Sequence, residues 1–172
     1  MANKLRGIAL VEFVVYASLL IVLTVSIVTA LITLSTTFRT IKSVANIESA
    51  TGVALERMAR EIRDASSVDT AQSTLGSSPG VLFLNTTDND GNPTTVQFFT
   101  SGQSIRIKEN GIDSGPLTDS SVRVTRLIFR HITTAQSHAV KIEMTVESGK
   151  DKSYRSKAFY TTVVMRGSYP TQ

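Results

Sequence analysis

The chain has 172 residues, 41% of them hydrophobic, and eighteen Lys and Arg stand against fourteen Asp and Glu for a formal charge of +4. That length suits one domain with an appendage and is short for two full domains. Cysteine is absent, which excludes a disulfide framework and a thiolate metal site, and the near balance of charge gives no bulk argument for nucleic-acid binding.

The chain opens "MANKLRGIALVEFVVYASLLIVL". Lys4 and Arg6 precede an apolar run, and basic residues in that place hold the N-terminal end in the cytoplasm during membrane insertion. From Phe13 to Leu34 there is no charged residue, Pro or Gly. A helix of that length spans roughly 33 Å, close to the hydrocarbon thickness of a bilayer. Ser18, Thr24, Ser26, Thr29 and Thr33 are compatible with it, because a hydroxyl can bond a backbone carbonyl one turn back. The run is longer than the apolar core of a cleaved secretory signal, about 7–15 residues. A plain anchor explains the run but leaves Glu12 without a purpose. An ionised carboxylate at the centre of a bilayer costs about 2.5–3.5 kcal/mol, and acids near apolar spans are usually paired.

The short basic leader, Gly7, the aliphatic residues that follow and Glu12 together resemble the class III signal of type IV pilins and type II secretion pseudopilins. The resemblance implies that a prepilin peptidase cuts between Gly7 and Ile8 and methylates the new amino terminus of Ile8, where the family usually has Phe. It implies that the apolar helix stays, first as a single-pass anchor in the bacterial cytoplasmic membrane and later as filament core. The C-terminal domain is then extracytoplasmic. By the same resemblance Glu12 is an assembly residue: it meets the free amino terminus of a neighbouring subunit, and the pair fixes axial register.

Beyond the span the helical pattern continues. Ile41, Val44, Ile47, Ala54, Leu55, Met58, Ile62 and Ala65 recur mostly at spacings of three and four, an apolar stripe for packing on a sheet. Glu56–Arg60, Arg57–Glu61 and Arg60–Asp64 are spaced as helical ion pairs, and Gly52 is a weak point of about 1 kcal/mol. A continuous helix over 9–66 would be roughly 85 Å long. Its stretch "ALERMAREIRDA" resembles the minor pseudopilin J and W-type minor pilin group.

"SSVDTAQSTLGSSPG" reads as a loop by composition. Six strand-like runs follow: "VLFLN", "TTVQFFT", "SIRIKE", "VRVTRLIFRHI", "HAVKIEMTVES" and "YRSKAFYTTVVMR". Val140, Ile142, Met144 and Val146 alternate with Lys141, Glu143, Thr145 and Glu147, the pattern of an antiparallel sheet with one covered face. Leu127 and Phe129 are out of phase with Val122 and Val124, which predicts a bulge near Arg126. "NDGN", "ENG" and "ESGKDKS" are the turns. The order of the late motifs again resembles the J-type and W-type proteins. The expected fold class is α+β: a leader (1–7), a transmembrane helix (8–38), its amphipathic continuation (39–66) and an antiparallel sheet domain (67–172).

Few residues suggest further chemistry. Asp88 and Asp90 in "DNDGN" resemble part of a calcium loop, but residue 99 is Phe where an EF-hand needs Glu, and Asp, Asn and Gly are the common turn formers. Some secretion pseudopilins bind calcium, so the resemblance keeps that ion as a minor expectation. His131 and His138 could meet across strands, yet no nucleophile–base–orienter set is visible and no enzyme is expected. Arg123, Arg126, Arg130 and Lys141 could form a basic stripe on the sheet. Glu143 and Glu147 interrupt it, so nucleic acid is a weak expectation as partner. The reading is a structural minor pilin or pseudopilin that starts or caps a filament. Its expected partners are prepilin peptidase, the inner membrane and other pilins or pseudopilins in a hetero-oligomeric filament. The alternatives are an adhesive or DNA-binding pilin of an uptake system and a membrane-anchored domain that never polymerises.

Overall fold

A computed structural model describes residues 2–88, 90–134 and 137–166, with side chains from residue 10 onward. Among the described residues a helix, α1 (Ala2–Asp64), is followed by strands, with a 3-10 turn at Asp151–Ser153 between the last two. The chain divides into two compact units, residues 1–39 and residues 40–172.

In the first unit the large apolar side chains from Leu10 to Phe38 are exposed on every side of the helix. A helix apolar all round is stable only where lipid or other helices cover it. Its hydroxyls bond inward as expected: Ser18 donates to the Val15 carbonyl at 2.8 Å, Thr24 to Leu20 at 2.8 Å and Thr33 to Thr29 at 2.9 Å. The stretch is long and apolar enough to cross a membrane once.

In the second unit all strands pair antiparallel, and they divide into two sheets. The first runs β1 (Ser67–Val68), β2 (Leu82–Thr87), β3 (Pro93–Ser101), β4 (Ser104–Glu109) and β5 (Ile112–Pro116), each beside the next. The second runs β6 (Val122–Thr133), β7 (His138–Ser148) and β8 (Arg155–Val164). The six strand-like runs became β2, β3, β4, β6, β7 and β8 with small shifts at their ends. β5 and the two-residue β1 are additional. The expected turn at Asn110-Gly111 closes the β4–β5 hairpin with both residues at positive φ, 51° and 79°, as a two-residue hairpin with the native twist demands.

One core joins the helix to both sheets. Ile47, Ala54, Met58, Ile62 and Ala65 of the helical stripe are buried against Leu82, Phe98 and Ile105 of the first sheet and Phe129, Ile142 and Met144 of the second. Each large side chain so buried contributes about 1.5–3 kcal/mol. Leu55 packs on this core partly buried. Ile41 and Val44 do not: they are 61% and 41% exposed, because the covered stripe begins at Ser43 and runs through Ile47, Ala50 and Thr51.

The helix is not broken at Gly52. Of the expected helical ion pairs, Arg57–Glu61 (2.8 Å) and Glu56–Arg60 (3.5 Å) form. Arg60 makes no ion pair with Asp64 among the described residues. Two further pairs tie the helix outward, Arg57 to Glu109 of β4 at 2.6 Å and Glu48 to Lys157 of β8. The bulge expected near Arg126 is present. Val124 pairs with Val146 and Arg126 with Thr145, leaving Thr125 as the extra residue.

Candidate functional site

Glu12 is the only charged residue between Arg6 and Arg39. It stands exposed on α1 among the exposed Val11, Phe13, Val15 and Tyr16. Among the described residues it has no ion-pair partner. A carboxylate set in an apolar helix surface has two stable fates: it stays in the hydrated edge of a bilayer, or it meets a cation brought by another molecule. Lys4, Arg6, Gly7 and Ile8 fall in the first turns of α1, and their side chains lie outside the described ones.

The outer face of the second sheet carries the expected basic stripe, interrupted by the two acids. Arg130 Nε donates to Glu143 Oε1 at 2.9 Å, Lys141 Nζ lies 3.0 Å from the same oxygen, and Arg123 is 3.6 Å from Glu147. Lys141 and Arg130 hold the Glu143 carboxyl below the usual carboxylate range. Arg126 is the exception, with no ion pair among the described residues. Phosphate tracking needs uninterrupted positive charge, and three of the four cations here are already matched. Tyr154 and Tyr160 are exposed and Phe159 is partly buried on the core.

His131 and His138 do meet. They stack with ring centroids 5.4 Å apart and planes 22° from parallel, on the covered side of the β6–β7 end. His131 Nε2 is buried without a hydrogen-bond partner among the described residues. Burial, then the neighbouring imidazole, pushes its pKa down. Asp88 uses its carboxylate on its own turn, accepting from the backbone N–H groups of Asp90 (2.9 Å) and Asn92 (2.8 Å) and from the Asn92 side chain. These bonds hold its pKa down. Asp90 is in the same turn, and Asn89 of the motif lies outside the described residues. Among the described residues no three His, Asp or Glu are grouped to hold a metal ion.

A cavity of about 340 Å³ opens where the two sheets meet, between the β3–β4 turn, the loop at Ser78-Pro79 and the bulge of β6. Sequence reasoning gave no sign of it. Its walls come from three segments far apart in the chain, and only the phase slip around Arg126 touched on it.

Fold and helix together define an α+β protein with an N-terminal helix long and apolar enough to span a bilayer. No family model, curated protein or solved structure matches the chain.

Proposed function

We propose that the protein is a minor pilin or minor pseudopilin, a structural subunit that starts or caps a type IV pilus or a type II secretion pseudopilus. Prepilin peptidase cuts after Gly7 on the cytoplasmic side, and Ile8 becomes the methylated first residue. The helix from Ile8 anchors the subunit in the inner membrane with the sheet unit outside, then enters the filament among other pilins. In that water-poor bundle the new amino terminus and Glu12 of adjacent subunits pair. Each alone would suffer desolvation, and together they offset part of it. Any other axial offset leaves a bare charge among apolar helices, so the pair sets register.

The observation that supports this reading is the exposed Glu12 on a helix otherwise apolar on all sides, five residues after Gly7. The test has two parts. Mass spectrometry of the mature protein from the cell that makes it is expected to find methylated Ile8 at the amino terminus. Glu12→Ala is expected to be processed and inserted normally yet recovered in sheared filaments at a small fraction of the wild-type level. An intact Met1, a cut near residue 30, or normal incorporation of Glu12→Ala overturns the proposal.

A further inference from the structure

The cavity at the meeting of the two sheets carries one charge, Arg126, and no acid lines it. Its surroundings make that arginine unusual. Arg123 and Arg130, on either side of it along β6, each have a glutamate from β7. The cross-strand neighbour of Arg126 is Thr145. A guanidinium offers five donors in a planar fork that matches a carboxylate.

The walls around it are tied together by hydrogen bonds. Val124 N–H donates to the Gln103 carbonyl at 2.8 Å, Gly80 N–H to the Leu127 carbonyl at 2.8 Å, and Leu127 N–H to Ser78 Oγ at 3.3 Å. These ties flank Thr125 and Arg126 along β6, outside its pairing with β7. As the extra residue of the bulge, Thr125 has no cross-strand partner, and its hydroxyl reaches the Thr145 carbonyl only at 3.5 Å. Gln103, at φ 70°, is the second residue of the two-residue β3–β4 hairpin turn, whose twist demands positive φ, and the turn sets it at the rim of the cavity. Thr100, Gln103 and Thr125 add neutral hydrogen-bonding groups beside the cation. A volume of this size suits one side chain and its adjoining peptide groups, within the range of small-ligand sites.

We propose that this cavity binds an acidic side chain presented on an extended peptide segment of a partner protein, with Arg126 taking the carboxylate and the bulge at Thr125 taking a peptide amide. The site lies wholly in the second unit and does not depend on the filament reading.

The test uses the full chain in detergent micelles at low ionic strength and the fluorescein-labelled peptides Gly-Ser-Glu-Ser-Gly and Gly-Ser-Gln-Ser-Gly. Fluorescence anisotropy is expected to show saturable binding of the Glu peptide and none of the Gln peptide. Arg126→Gln is expected to weaken the Glu peptide about tenfold, as loss of a charged hydrogen bond does. Arg123→Gln is expected to change it less than about twofold, since that arginine is already paired with Glu147 and does not line the cavity. Both are surface changes, and unchanged far-UV circular dichroism verifies the fold. Free succinate is expected to compete only weakly. Equal binding of the two peptides, no saturable binding, or an unaffected Arg126→Gln overturns the proposal. Succinate competing at the peptide's own concentration overturns its peptide part.

Discussion

His131 stands diagonally across the hairpin from His138, facing the core side, and its buried Nε2 has nothing to bond among the described residues. Protonating it puts a charge into a poorly hydrated place and beside a second imidazole. Its ordinary value is 6.5, and the folded chain holds it lower. The unfolded chain therefore takes up this proton first. Stability from His131 is complete above about 6.5 and is lost as pH falls through the lower folded value. Glu61, raised above 4.5 mainly by burial, acts in the opposite sense, because protonation relieves it. Glu143, held low by Lys141 and Arg130, contributes stability that is lost only in the acid range below 4.5. The expected outcome is a fall in the urea midpoint of the wild-type protein as pH drops below about 6.5 that is shallower in His131→Gln. Glu61 cannot mimic this difference, since both proteins carry it. Equal slopes would show that the imidazole is hydrated or bonded in the folded chain.

Two glycines separate what the elements require. Gly52 sits inside α1 with nothing within 4 Å of where a Cβ would stand. Gly52→Ala is expected to raise stability by about 0.5–1 kcal/mol, the helix preference for Ala over Gly. Gly149, at φ 82°, precedes the 3-10 turn before β8, and a Cβ there would lie 2.5 Å from Ser43 Oγ and closer still to the Ser153 carbonyl. Gly149→Ala is expected to lose more than about 1 kcal/mol through strain and clash together. Thermal denaturation of the two variants beside the wild type checks the opposite signs. Sequence periodicity had found the elements these glycines serve where one face differed from the other. β7 alternates cleanly, and the slip between Val124 and Leu127 revealed the bulge. β5, "IDSGP", has no alternation to read and owes its place to pairing with β4. Ile41 and Val44 continue the helical stripe, but periodicity cannot say where the covering sheets end. The Arg57–Glu109 pair joins residues 52 apart and has no local signature. The division into two sheets was hidden for the same reason, since it depends on which strands become neighbours.

At the scale of the molecule, cohesion and exposure are segregated along the chain. Among the described residues every member of the hydrophobic core is at Ile47 or later, while the large apolar side chains from Leu10 to Phe38 are exposed. Glu12 was legible because one acid in an apolar run is visible in the sequence itself. The cavity at Arg126 was not, because it exists only once both sheets meet. The segregation has a direct consequence for a fragment comprising residues 40–172. It retains the whole core, both sheets and the ion pairs Arg57–Glu109 and Glu48–Lys157. It loses the apolar surface that demands lipid or other helices. The fragment is expected to be soluble without detergent, to keep a near-UV circular dichroism spectrum of fixed aromatic packing, and to unfold in urea in one cooperative step. Helix within residues 40–64 should persist there, since a short helix in water is held by the face it buries and not by propensity alone. A fragment that aggregates, or keeps far-UV signal without near-UV signal, would mean that residues before 40 also stabilise the sheets.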